Sequence, residues 1–318
     1  MGFFENSIIF IKYWRIYPCS YMAANWYKHL QSTPSLSFLR RNKQLLFGLL
    51  GLIGGIIGAL IAEPIELYFN SAIPRAYFIL ILQVILWAGL AAAFISAGLH
   101  VAIKVYNRRT IEWWPLAKKS IPAGFLAGAI SGGIAQAIFG LTPFSDVFIQ
   151  ELFRAVCWAI FGAILGWRLS YSIPNLGVKK AVMAGLGGGF IGAIGFIIVS
   201  GLLVQTLGRM LGIGILGAAL GLALVIVEER YRSAYLEVHW ARNETSKFTL
   251  GSTPIYIGGG GEDDVFVYGI PHHAMSLVYQ QEKVKGVYIV TGERKELHDG
   301  SRIQLGKVEM FVRIAQSR

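Results

Sequence analysis

Charge is scarce in this chain of 318 residues, and acid is scarcer than base: 18 Asp and Glu stand against 29 Lys and Arg, together 15% of the sequence. Soluble domains carry about a quarter charged residues. With 54% hydrophobic residues and a mean hydropathy of +0.54, an ordinary water-soluble globule is excluded. Only Cys19 and Cys157 are cysteines. They are distant and show no redox or ligand spacing, which excludes a disulfide framework. His272, His273 and His298 lack the spacing of zinc ligands, and Asp263 and Asp264 lack the alternating oxygens of a calcium loop. The glycine run 258–261 leads into Glu262 rather than Gly-Lys-Ser/Thr, so it does not cradle a nucleotide phosphate. No serine or cysteine pairs in sequence with a histidine and an orienting acid. The expectation is a protein that is not an enzyme and uses no cofactor or metal.

Long apolar runs are what the sequence has instead. LLFGLLGLIGGIIGALIA, residues 45–62, is uncharged and of membrane-crossing length. Its glycines, among them Gly54, Gly55 and Gly58, recur at helical spacing and leave a smooth stripe where another backbone can approach. Gly132 and Gly133, then Gly188, Gly189 and Gly192, repeat the pattern, each copy following a basic cluster. A second apolar segment follows each. Arg154 stands before FGAILG as Arg209 stands before LGAALG. These repeats predict three tandem glycine-rich hairpins, hence six spans near 45–62, 76–103, 120–140, 152–171, 181–203 and 208–227, with the three paired-glycine helices meeting near a common axis.

Bases concentrate in the amino-terminal segment and in alternate links, such as Lys104, Arg108, Arg109, Lys118 and Lys119. The positive-inside rule then places both termini in the cytoplasm, in a multi-pass protein of the cell membrane. The net charge of +11 is read as this asymmetry, with the lipid bilayer as partner and no nucleic acid. Residues 1–44, rich in aromatics and bases, read as an interfacial segment. Few polar residues fall at membrane depth. Glu63, Glu66, Glu151 and Arg154 sit near the expected outer ends, and Gln136 replaces a glycine of the repeat; these five are the candidate polar site of the membrane domain. Glycine-lined helices with no charge at mid-span predict close helix contacts rather than a wet cavity.

Composition changes after Val227. The predicted membrane domain spans 45–229, and residues 230–318 alternate in short strand-like runs broken by turns, a small all-β sandwich. The landmarks IYIGGGGEDDVFV, HHAMSL, Thr291 with Gly292, and LHDGSRIQLG give this tail its resemblance to a forkhead-associated domain. The resemblance implies a cytoplasmic phosphothreonine-reading fold. The family's arginine after the Ile-Gly turn is here Gly259, its serine before the histidine is Ile270, and its later asparagine falls at Thr291. Those replacements imply a fold without the usual phosphate fork. The candidate partner-binding loops are Gly258, Gly259, Ile270, His272, His273, Thr291, Gly292, Arg294 and Lys295, with His272, Arg294 and Lys295 as a substitute anion site. Two functions remain open. One is a membrane anchor that displays the module to a protein partner, another copy included; the other is a small-solute or ion pathway that the module regulates.

Overall fold

The computed structural model describes residues 34–72, 76–109, 111–141, 146–241 and 244–315. The aromatic and basic residues between positions 12 and 28 lie outside the described residues. A short helix, α1 (Pro34–Arg41), precedes six long ones: α2 (Lys43–Ala72), α3 (Tyr77–Tyr106), α4 (Trp113–Leu141), α5 (Val147–Ser170), α6 (Val178–Leu202) and α7 (Gln205–Arg230). All six are long and apolar enough to cross a membrane. They outrun the predicted spans because charged and aromatic ends extend each helix past the apolar stretch. Glu63 and Glu66, expected in a loop, lie inside α2, which continues through Pro64. A proline inside a membrane helix removes one backbone bond, a loss that neighbouring helices make tolerable.

The helices stand in a ring in chain order, α2 through α7, with α7 closing on α2. Helices α3, α5 and α7 touch one another across the middle, and each of α2, α4 and α6 fits between two of them. The expected convergence of the paired-glycine helices on a common axis is therefore overturned. Their glycines face the second helices of the hairpins instead. Gly54 lies against Phe94 and Gly58 against Ala91, both on α3, whereas Gly55 lies against Ile213 on α7. Gly132 and Gly133 meet Ala88 and Ile85 of α3. Gly188 and Gly192 meet Ala223 and Leu216 of α7, and Gly189 meets Trp158 of α5.

Close approach explains which seams are tight. Gly51 and Gly217 face each other across α2 and α7, as Gly162 and Gly185 do across α5 and α6, so that a Cβ on any of them would overlap the opposite backbone. Only the α4/α5 seam has no described glycine of this kind, and it is the loosest of the six. There the rings of Phe139 and Phe153 meet edge-on, with centroids 5.1 Å apart. The second predicted hairpin is thus joined in sequence but barely packed.

The tail forms two sheets. One has the order β2-β1-β9-β8 and the other β4-β3-β5-β6-β7, built from β1 (Ala234–Ala241), β2 (Glu244–Leu250), β3 (Ile255–Gly258), β4 (Val265–Phe266), β5 (Met275–Gln280), β6 (Lys283–Tyr288), β7 (Arg294–Leu297), β8 (Arg302–Leu305) and β9 (Val308–Ile314). Alternation puts Leu236, Val238 and Val312 of the first sheet and Ile257, Met275 and Leu277 of the second into one core. Arg294 and Lys295, expected in a loop, belong to edge strand β7.

This β-domain is docked on the bundle through the bases that marked topology in the sequence. Arg40 is 2% exposed; it donates to the Val105 carbonyl and approaches Glu244 at 4.0 Å. Arg108 pairs with Glu244 and covers the Trp240 ring at 4.4 Å. Lys43 bonds Glu228 at 2.6 Å, and Glu228 accepts from the Thr249 hydroxyl. The Tyr106 hydroxyl donates to the Lys247 carbonyl and accepts from the Lys247 N–H. Strand β2 lies at the sheet edge, so the bundle supplies the partners that an open edge would lack.

Candidate functional site

The bundle forms a partly open cavity of about 560 Å³ in the half distant from the β-domain. Its place follows from the loose seam, since α4 and α5 line it together with α3, α6, α7 and Glu66 of α2. Trp87, Phe139, Trp158, Phe161 and Phe196 supply aromatic walls, and Gln83, Ser131, Gln136 and Ser200 supply polar groups. Volumes of 300–1,000 Å³ with apolar walls and a few convergent polar groups are typical of small-molecule sites.

Five charged side chains surround it. Glu66, Arg154 and Arg209 line the cavity. Arg154 donates to both carboxylate oxygens of Glu151, at 2.9 and 3.1 Å. Arg209 bonds Glu63 at 2.6 Å and also Glu66, joining α7 to α2. The structure therefore brings Glu66, Gln136 and Arg154 of the sequence candidates to one cavity, with Glu63 and Glu151 acting through the arginines. Arg209 was missed, having read as a lone base in a short link. Its signal was the repeat, which gave Arg154 and Arg209 equivalent places. Among the described residues, three polar atoms here are buried without a partner: Glu63 Oε2, Arg209 Nε and Trp87 Nε1. The expectation of close contacts without a cavity is corrected. Glycine closes five seams, and its absence leaves the sixth open.

A second cavity, of about 550 Å³, occupies the other end of the same seam. Its wall runs through His100 and Lys104 of α3, Leu116 and Lys119 of α4, and Tyr171 and Asn175 after α5, and its roof is Thr253, Pro254, Glu262 and Asp264 of the β-domain. His100 Nδ1 donates to the Ser96 carbonyl at 2.8 Å, and its Nε2 meets the Ser172 hydroxyl at 3.2 Å. Ser96, one turn away, lies against Gly124 of α4 with its hydroxyl buried and unpartnered.

Arg109, in the link between α3 and α4, grips the roof. It donates to the carbonyls of Asp263 at 2.7 Å and Glu262 at 3.0 Å, and to the Asp264 carboxylate at 2.9 Å. Burial raises the pKa of Asp264 above its ordinary value of 3.8, opposed by the Tyr256 N–H and by Arg109. Asp263 is fully buried; it accepts from the Gly260 N–H at 2.7 Å, from the His273 N–H and from the His273 ring. The link is thereby tied to both loops of the candidate recognition surface.

Within those loops, Gly258 is buried against Asp263 and the His273 N–H, and the Gly259 N–H donates to the Pro271 carbonyl, close beside Ile270. Any side chain at either glycine would overlap these groups. His273 has φ 49°, and Gly292 turns the β6–β7 connection at φ 71° beside exposed Thr291. His272 stacks on His273 with centroids 3.7 Å apart. Asp263, His272 and His273 form a group of metal-ligand type. The Asp263 carboxylate is already engaged by the Gly260 and His273 N–H groups and by the His273 ring. Arg294 and Lys295 lie on β7, which β6 separates from the strand that follows His273.

Searches of protein-family models, curated proteins and solved structures find no match to this chain.

Proposed function

We propose that the protein binds a small solute in the membrane and conducts it along the α4/α5 seam, with the β-domain as the regulatory cover of one end. The observation that carries this reading is the pair of cavities, each near 550 Å³, at the two ends of the seam that no described glycine closes. Unpartnered Ser96 lies along the stretch between them. Arg109 gives the β-domain a hold on the link that opens α4, and α4 is the helix with the looser of its two neighbours at α5. The clustering of bases at the β-domain end supports a cytoplasmic location for that domain. Flux from proteoliposomes loaded with a panel of small solutes tests the reading. Native Cys157, which lines the distal cavity, adds a second measurement in a Cys19→Ser background. Flux of at least one solute, slowed when Cys157 is alkylated, is expected; a tight vesicle for every solute with Cys157 unreactive rejects it.

A second reading rests on the β-domain surface, where Tyr268 and Val290 are 75% and 70% exposed and Ile289 is 45% exposed. Apolar side chains on loops of a rigid scaffold suit phosphate-independent docking of a protein partner, in line with the forkhead-associated resemblance and its replaced arginine and serine. Both readings hold together if partner binding to these loops is relayed through Asp263 and Arg109 to the seam.

A further inference from the structure

We propose that the distal cavity takes hydrophobic organic cations, with the Glu63–Arg209–Glu66 triad as their counter-charge. The proposal names the ligand class of the pathway above and rests on that reading. The two arginines of the cavity are already held by carboxylates, Arg154 by Glu151 and Arg209 by Glu63 and Glu66. Among the described residues, two bases against three acids leave one negative charge over. It sits inside membrane-spanning helices, where an unbalanced charge is costly, and Glu63 Oε2 has no partner. Glu63 itself is only 7% exposed.

The walls decide which cation answers that charge. Five aromatic side chains line the space, and their negative ring faces attract a cation within about 6 Å, more strongly where water is excluded. A bulky organic cation is weakly hydrated and loses little on entering. A calcium or magnesium ion needs six or more oxygen ligands, which this aromatic lining does not offer. An anion meets a net negative site with both arginines engaged. The Trp87 N–H, buried without an acceptor, adds a hydrogen bond for any cation that carries an acceptor atom.

Two probes of one shape and opposite charge make the test: tetraphenylphosphonium and tetraphenylborate. Binding of each to the purified full chain is measured by equilibrium dialysis and corrected with empty micelles. The phosphonium is expected to bind more tightly by at least roughly tenfold, about 1.4 kcal/mol. Glu63→Gln, which neutralises the triad yet leaves Glu66 on Arg209, should erase that preference by weakening the phosphonium and strengthening the borate. Trp158→Leu, which keeps every charge, should weaken the phosphonium without reversing the preference. Equal binding of both probes, or preference for the borate, sinks the charge assignment but leaves the cavity as a binding site. Binding of neither overturns the cavity reading as well.

Discussion

Arg209 is the residue on which the distal half of the bundle turns. It lies 146 residues from Glu63 in sequence, and the contact brings the start of α7 against the last third of α2. Both glutamates and the arginine are largely sequestered, so removing the base leaves two carboxylates facing each other at membrane depth. Arg209→Met should therefore cost about 3–5 kcal/mol, the range for one partner lost from a buried pair. Thermal unfolding in detergent checks this, with Arg154→Met as the comparison. Arg154 is half exposed and bonded within its own helix, so its loss should cost far less. Asp264 gives a pH signature at the other end. Its pKa is raised in the folded protein, chiefly by burial, so its contribution to stability is fully present below the ordinary carboxylate value and fades as pH rises through the raised one. Melting temperature followed from pH 7 down to about pH 4 should show a component favouring the acid side. Asp264→Asn should remove that component, and an unchanged slope would assign the pH dependence to other groups. The repeat pointed to Arg209, but neither its pairing with Glu63 and Glu66 nor the roof contact of Asp264 was legible in the sequence, because each joins chain segments that only the fold brings together.

At the scale of the helix and the strand, much more could be read in advance. Apolar length announced six spans, and glycine spacing announced that backbones touch. A stripe of glycine says that something approaches but not what, which is why convergence on one axis was a reasonable expectation and a mistaken one. Gly54, Gly132 and Gly188 all meet second helices. Most of the tail's strands were legible from alternation; exposed β7, with Arg294 and Lys295, carries no apolar pattern to give it away. Packing also separates the glycines into two kinds. At Gly51 an added methyl would overlap the Gly217 carbonyl, whereas Gly187 and Gly201, on α6, have nothing within 4 Å of such a methyl. Gly51→Ala should lose about 1–3 kcal/mol to overpacking. Gly187→Ala and Gly201→Ala should be neutral or stabilising, since alanine is the better helix former. A thermal-shift series across the three variants decides it; equal losses at all three would mean that the glycines serve flexibility rather than approach.

For the molecule as a whole, the decisive asymmetry is that five seams are sealed and one is not. The β-domain sits over the unsealed one, and its Arg109 contact reaches the link from which α4 departs. The pathway reading then predicts that sealing the sixth seam stops function without disturbing the fold. Phe139 and Phe153 provide the place, for their rings already meet across α4 and α5 near the distal cavity. In a background with Cys19→Ser and Cys157→Ser, the pair Phe139→Cys and Phe153→Cys should be joined by a short bis-methanethiosulfonate linker, whose spacer bridges the room the two rings leave. Cross-linked protein should keep its melting temperature or gain slightly, while solute flux in proteoliposomes falls; reduction should restore the flux. The reversibility separates a gate from damage. A variant with the same two cysteines left reduced controls for the loss of the aromatic pair itself. Were flux unaffected by the cross-link, α4 and α5 would not part during transport, and the cavities at the two ends of their seam would have to be separate sites rather than stations on one path.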